Sequence, residues 1–162
     1  MFFFAKKKTI TALLIVDMQA TFSSANDETT IKNCIIEIKK AIIEKMPIIV
    51  LEYLGHSRTL PELRKYLDKY KSTLYVTKRD DDGGKDVIKA AKKKHLKIDT
   101  FIVCGVNAAC CVAETVRTLT REYNKEVKVV KKACNGFRRN SADYTFNHSH
   151  ARIYQDDNVI LV

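Results

Sequence analysis

The sequence predicts an α/β fold of three layers, in which helices cover both faces of a mostly parallel, five- to six-stranded sheet, as in Rossmann-like proteins. Two observations indicate this fold. Short, nearly uninterrupted apolar runs such as Ile10–Val16 are typical of strands that are buried on both faces. Between these runs lie segments with apolar residues at helical spacing, and the short connections favour right-handed crossovers between parallel strands.

The predicted strands and helices alternate along most of the chain. Thr29 or Thr30 can cap the first helix, Pro47 stops it, and Pro61 opens the second helix at a position that proline favours. The strands are predicted at Ile10–Val16, Ile48–Tyr53, Ser72–Thr77, Phe101–Cys104, Glu126–Val130 and Ala151–Tyr154. The helices are predicted from Thr29 or Thr30 to about Lys45, and at Pro61–Tyr70, Lys85–His95, Cys111–Tyr123 and Ser141–His148.

Composition limits the class of protein. The 162 residues fit a single domain over residues 1–162, and no apolar run approaches the roughly 20 residues that span a bilayer. The apolar residues of the opening MFFFAKKK precede its charges, which is the wrong order for a secretory signal. The five cysteines include no CxxC pairs, so we expect free thiols and a reducing, cytoplasmic compartment.

The net charge is +10, which can indicate a nucleic-acid partner. The lysine runs, however, fall mostly on predicted solvent faces of helices, without interleaved aromatic residues. We therefore expect no nucleic-acid partner, and attraction of an anionic small molecule is the milder alternative.

Three chemically complementary residues follow predicted strands at their carboxyl ends. Asp17, Lys78 and Cys111 come just after the first, third and fourth strands, and ligands of parallel sheets bind at that edge. A cysteine in the first turn of a helix meets the positive end of the helix dipole, which favours thiolate. Taken singly, each residue has a simpler interpretation: a buried packing cysteine, a capping aspartate or a surface lysine.

Three stretches of the sequence resemble the cysteine hydrolase family of nicotinamidases, N-carbamoylsarcosine amidases and isochorismatases. They are LLIVDMQATF, LYVTKRDD and GVNAACCVAET. In the third, the family's nucleophilic cysteine follows the glycine by six positions, which selects Cys111 over Cys110. The resemblance implies a catalytic triad of Asp17, Lys78 and Cys111, a cis peptide bond between Val106 and Asn107, and an oxyanion held by the backbone N–H groups of Asn107 and Cys111. Phe22 and His56 are candidate pocket residues.

The resemblance implies hydrolysis of a small amide, ureido or carbamoyl compound through a thioester on Cys111. Asp17 would act as the general base, and Lys78 would stabilise the thiolate. The alternative is a catalytically degenerate member that serves as a binding or assembly module, because Asp80–Gly84 replaces the family's usual Ser and Phe after the lysine. The family also implies a homo-oligomer, with Phe2–Phe4 as a plausible contact.

No metal or other cofactor is expected. Metal-binding members of the family carry an Asp two residues before a His after the second strand, and another His downstream. Here His56 matches one position, but Leu54 replaces the Asp and no second His precedes Lys78. We therefore expect hydrolysis to proceed without zinc.

Overall fold

The computed structural model describes residues 9–136, 146 and 149–162, and in this part of the chain all strands form one six-stranded parallel sheet. The strands are β1 (Ile10–Val16), β2 (Ile48–Tyr53), β3 (Thr73–Lys78), β4 (Ile98–Val106), β5 (Glu126–Asn135) and β6 (Val159–Leu161). Their order across the sheet is β3-β2-β1-β4-β5-β6. The predicted fold class is therefore confirmed, and β1 and β4 flank the point where the strand order reverses.

The helices lie between the strands, as the alternating pattern predicts. They are α1 (Glu28–Ile43), α2 (Pro61–Leu67), α3 (Gly84–Lys93) and α4 (Ala113–Arg117), the last flanked by π-helical turns at Ala108–Val112 and Thr118–Glu122. Asp27, rather than Thr29 or Thr30, caps α1, because its carboxylate accepts a hydrogen bond of 2.9 Å from the Thr30 backbone N–H. No helix among the described residues is long and apolar enough to cross a membrane.

Strand β1 is buried on both faces, which explains its uninterrupted apolar sequence. Leu13 and Ile15 pack into a core cluster with side chains of α1 and α2, whereas Leu14 and Val16 pack into a second cluster with side chains of α3 and α4. Successive side chains of a strand point to opposite faces, so a central strand of a three-layer fold needs apolar residues at every position.

The end of the chain differs from the prediction. Ala151–Tyr154, predicted as the last strand, belongs to a 3-10 helix at Ser149–Gln155, and the last strand is Val159–Leu161. Ile153 and Tyr154 are consecutive, yet both are buried in the same core cluster, which the alternating faces of a strand do not allow. The helix predicted at Ser141–His148 lies, apart from Phe146, outside the described residues, and so does the predicted contact of Phe2–Phe4.

Gly105 lets β1 and β4 approach each other at the carboxyl edge of the sheet. Its φ is +120°, a conformation that other residues rarely adopt, and it lies opposite Val16 in the strand register. A Cβ atom at this position would lie 2.1 Å from the Val16 carbonyl oxygen. The strand that leads to the cysteines therefore requires a glycine here.

We expect Gly105→Ala to lower the free energy of unfolding by about 3 kcal/mol or more, because it combines an unfavourable φ with a clash against backbone. Gly55→Ala is the matched control: Gly55 also has a positive φ (+84°), but nothing lies within 4 Å of its Cβ position. The control should lose only about 1 to 2 kcal/mol. Urea unfolding measures both, and equal losses would contradict this account of Gly105.

Candidate active site

A buried ion pair lies at the carboxyl edge of the sheet. The Lys78 ammonium is 2.8 Å from Oδ2 of Asp17, and the two side chains are 0% and 1% exposed. The carboxylate oxygens of Asp17 have no hydrogen bond of regular geometry within the described residues, so this contact is an ion pair rather than an aligned hydrogen bond. Burial raises the pKa of Asp17, and the charge of Lys78 opposes this rise.

The Lys78 ammonium is also held by the loop that follows β3. It donates hydrogen bonds to the carbonyl oxygens of Asp80 (2.9 Å) and Asp81 (3.0 Å). The ammonium therefore makes two hydrogen bonds and one ion pair, and the centre of the Tyr53 ring lies 4.2 Å from its nitrogen. The protein thereby compensates the cost of burying a positive charge.

Asp17 itself has an unusual backbone conformation. Its φ is +50°, in the left-handed region, which costs a residue other than glycine of the order of 1–3 kcal/mol. Two residues later, the buried Gln19 fixes the chain: its side-chain oxygen accepts from the Tyr53 N–H at 2.8 Å, and its amide nitrogen donates to the carbonyls of Tyr53 and Ser57. Gln19 therefore ties the end of β1 to the loop after β2.

Cys111 faces the Asp17 carboxylate from the π-helical turn after β4 and is 4% exposed. Burial raises the pKa of its thiol, the negative charge of Asp17 adds to this effect, and the charge of Lys78 opposes it. The direction of this shift is opposite to the one expected from the helix dipole. Burial of the sulfur therefore favours the thiol form of Cys111, which lies beside the Asp17 carboxylate.

Asp81 also contacts the cysteines. Its carboxylate accepts from the thiol of Cys110 at 3.3 Å and from that of Cys111 at 3.7 Å. Burial and this carboxylate raise the pKa of Cys110. Sequence reasoning missed Asp81, because a residue of an exposed acidic loop is ordinarily solvated, and only the folded path of the loop turns its side chain towards the cysteines.

The two candidate pocket residues lie together beside the ion pair. The rings of Phe22 and His56 are stacked with centroids 4.5 Å apart, and Tyr53 packs edge-on against His56 at 5.2 Å. Nδ1 of His56 lies 3.1 Å from the Thr21 hydroxyl. Since Tyr53 also covers Lys78, these rings form an aromatic wall beside the buried ion pair.

The peptide bond between Val106 and Asn107 is cis, at the position that the resemblance implied. The side chain of Asn107 is buried, and its amide oxygen accepts a hydrogen bond from the Ser24 hydroxyl. Asn135, at the end of β5, donates to the Ser24 carbonyl at 3.1 Å. The turn that leads from β4 to the cysteines is thus braced from two neighbouring segments.

A separate groove of about 1020 Å³ lies at the opposite, amino-terminal edge of the sheet. Its lining includes four lysines, namely Lys45, Lys71, Lys94 and Lys128. None of the triad residues lines it. The groove is therefore separate from Cys111, and the ion pair marks the candidate active site instead.

Sequence comparison identifies a family. A family profile described as "Isochorismatase domain" matches residues 11–153 of the chain. No curated protein sequence matches the chain.

Several solved structures share the fold. The MAR1 ribonuclease from Caenorhabditis elegans has 23% identity and a TM-score of 0.78, with 95% of this chain and 77% of that chain covered. The nicotinamidase SaPncA from Staphylococcus aureus has 14% identity and a TM-score of 0.76, covering 96% and 100%. The N-carbamoylsarcosine amidase from Thermoplasma acidophilum has 16% identity and a TM-score of 0.72, covering 94% and 95%.

A further similar structure is the YcaC gene product from Escherichia coli, described as an octameric hydrolase of unknown specificity. It has 21% identity and a TM-score of 0.72, with 94% of this chain and 74% of that chain covered.

We expect the buried ion pair to be energetically coupled. Lys78→Met and Asp17→Asn should each lower the free energy of unfolding by about 3 kcal/mol, because each leaves a buried partner uncompensated. The loss of unfolding free energy in the double variant should be about 1–3 kcal/mol smaller than the sum of the two single losses, as measured by urea unfolding.

The matched control is Lys85→Met, which breaks an exposed ion pair with Glu122 (3.3 Å) and should change stability by less than about 1 kcal/mol. Additive losses for the buried pair would contradict the coupling.

Proposed function

The chain belongs to the isochorismatase family, and on this premise we propose that it is a cysteine hydrolase that cleaves a C–N bond of a small amide, ureido or carbamoyl compound. The observation that carries the proposal is the buried Lys78–Asp17 ion pair beside the thiol of Cys111. The nicotinamidase and the amidase among the similar structures support the same class of reaction.

The first half-reaction forms a thioester. Asp17 takes the proton of the Cys111 thiol as the sulfur attacks the carbonyl carbon of the substrate. The raised pKa of Asp17 suits this role, because it makes the carboxylate a stronger base than an ordinary aspartate. The backbone N–H groups of Asn107 and Cys111 are proposed to stabilise the oxyanion that forms.

The second half-reaction releases the products. As the C–N bond breaks, Asp17 returns its proton to the leaving nitrogen, and ammonia or an amine departs. Water then attacks the thioester and gives a proton to Asp17. As the carbon–sulfur bond breaks, Asp17 passes this proton to the Cys111 sulfur, so that the carboxylic or carbamic acid leaves and the thiol and the carboxylate are both restored. Throughout, Lys78 holds the Asp17 carboxylate in place.

The charges around the cysteine favour a neutral substrate that donates hydrogen bonds. Asp81 lies 3.7 Å from the Cys111 sulfur, where it can accept from an amide or ureido N–H but would repel a carboxylate. This local charge opposes the attraction of an anionic substrate that the net charge of +10 suggested.

A catalytically degenerate binding module is the alternative. The altered loop after Lys78 favoured it at the level of sequence, yet the loop supplies two carbonyl oxygens to the lysine and keeps the ammonium beside Asp17. A module without catalysis has no need of an acid, a lysine and a thiol buried together, because burying charges is costly. The enzyme is therefore the better interpretation.

Assembly and compartment are also proposed. The octameric E. coli neighbour supports a homo-oligomer, which sedimentation velocity at micromolar concentration tests; a monomer alone would contradict it. All five cysteines are free, which supports a reducing, cytoplasmic compartment.

We expect a screen of small amides, ureas and carbamoyl compounds, read by released ammonia or amine, to find a substrate. Cys111→Ala should then lose at least about a thousandfold in kcat/KM, because no nucleophile remains. Quenching the parent protein during turnover should leave an acyl mass on the peptide that contains Cys111.

Two other variants make this test specific. Cys110→Ala should keep kcat/KM within about tenfold of the parent, and Cys134→Ala, which removes a thiol of β5 that has no role in the proposed reaction, should match the parent. Turnover that survives Cys111→Ala, of RNA or of any amide, would contradict the proposal. RNA belongs in the screen because one similar structure is named a ribonuclease.

A further inference from the structure

Cys110, Cys111 and Asp81 place two sulfurs and a carboxylate around one point. The candidate ligand atoms of the three residues all lie within 4.8 Å of one another. Adjacent side chains of an α-helix diverge, but these cysteines lie in the π-helical turn Ala108–Val112, whose wider winding turns successive side chains in more similar directions. The loop after Lys78 brings the carboxylate to both sulfurs.

The separations already approach those of a metal centre. Around a tetrahedral zinc ion, bonds of about 2.3 Å to sulfur and 2.1 Å to oxygen place two sulfurs about 3.8 Å apart and a sulfur and an oxygen about 3.6 Å apart. Here the sulfur–oxygen contacts are 3.3 Å from Cys110 to Oδ2 of Asp81 and 3.7 Å from Cys111 to Oδ1 of the same carboxylate. A set of two thiolates and one carboxylate binds Zn²⁺ or Cd²⁺ in preference to Mg²⁺ or Ca²⁺, because the latter two cations prefer oxygen ligands.

The cluster can be reached from solvent, and its charge favours a cation. Asp81 is exposed and Cys110 is half-buried, whereas Cys111 forms the buried end of the cluster. The nearby Lys78 ammonium is already surrounded by three oxygen acceptors, which screen its positive charge. The nearby carboxylate of Asp17 adds negative charge.

We propose that Cys110, Cys111 and Asp81 bind one thiophilic divalent cation, and that this cation reversibly switches the enzyme off. On binding, the two thiols release their protons, and the ion forms one bond to each sulfur and one to the carboxylate. The Cys111 electron pair that would attack the substrate is then held by the metal. Chelation of the ion returns the free thiol. The proposed metal binding depends only on the three residues of the cluster, whereas the proposed inhibition also depends on the proposed hydrolase activity.

The binding test uses the full chain after removal of metal, titrated with Cd²⁺. Cadmium–thiolate bonds absorb in the near ultraviolet, so the absorbance reports ligation directly. We expect one ion per chain, and competition by Zn²⁺ should reverse the signal. Cys110→Ser and Asp81→Asn should each weaken binding by at least about tenfold.

Two matched controls isolate the cluster. Asp80→Asn changes the neighbouring exposed aspartate, which supplies only its backbone carbonyl to Lys78, and should bind Cd²⁺ like the parent. Cys134→Ser removes a cysteine outside the cluster and should do the same. Binding that is unchanged by Cys110→Ser and Asp81→Asn, or that is seen only at millimolar Cd²⁺, would overturn the proposal.

Measuring hydrolysis in the presence of metal separates this inference from the proposed function. With a substrate in hand, Zn²⁺ should reduce the rate in proportion to occupancy, EDTA should restore it, and Asp81→Asn should need about tenfold more Zn²⁺ for the same inhibition. If Cys110 binds Cd²⁺ but the protein hydrolyses no compound of the screen, the proposed hydrolase is contradicted and the metal site is supported. If the rate of hydrolysis is unchanged when the thiolates are saturated with metal, the proposed inhibition is overturned.

Discussion

The site depends on one costly interaction, the ion pair buried between Lys78 and Asp17. Lys78 ends β3 and Asp17 directly follows β1, and these two strands are not neighbours, because β2 lies between them. Two strand spacings amount to about 10 Å, so a long side chain is needed to cross the end of β2 and reach the carboxylate. The side chains of Lys78 and Asp17 extend towards each other and together span this distance, and Tyr53 at the end of β2 covers the lysine nitrogen. The pair therefore links three strands at the edge where the thiol of Cys111 arrives.

The backbone around this pair is arranged to present it. Asp17 takes a left-handed conformation at the end of β1, and Gly105 allows β4 to pass against Val16 without a clash. Gln19 then fixes the outgoing chain to the loop after β2. Asp17 and Gly105 lie at the carboxyl edge between β1 and β4, where the strand order reverses and open parallel sheets leave a crevice. The topology thus determines where the acid and the sulfur can meet.

The sequence predicts the fold and the shared location of Asp17, Lys78 and Cys111 for a physical reason: the carboxyl ends of parallel strands lie at one edge of the sheet, so residues that follow these strands come together. The contacts of Asp81 could not be predicted, because an exposed loop has no periodicity and its path depends on which carbonyls the lysine takes. The protonation state of Cys111 also escaped prediction, since burial of its sulfur depends on packing. The last strand was misplaced because ARIY is apolar enough for either a strand or a helical turn.

The backbone and the side chains of the loop after β3 make different contacts. The main-chain carbonyls of Asp80 and Asp81 hold the lysine, and such carbonyls are present with any side chain at those two positions. The side chain of Asp81 alone reaches the cysteines. An engineer can therefore vary position 81 to alter what approaches the sulfur while leaving the anchoring of Lys78 unchanged. Within this one loop, the surroundings of the sulfur and the anchoring of the lysine therefore rest on different atoms.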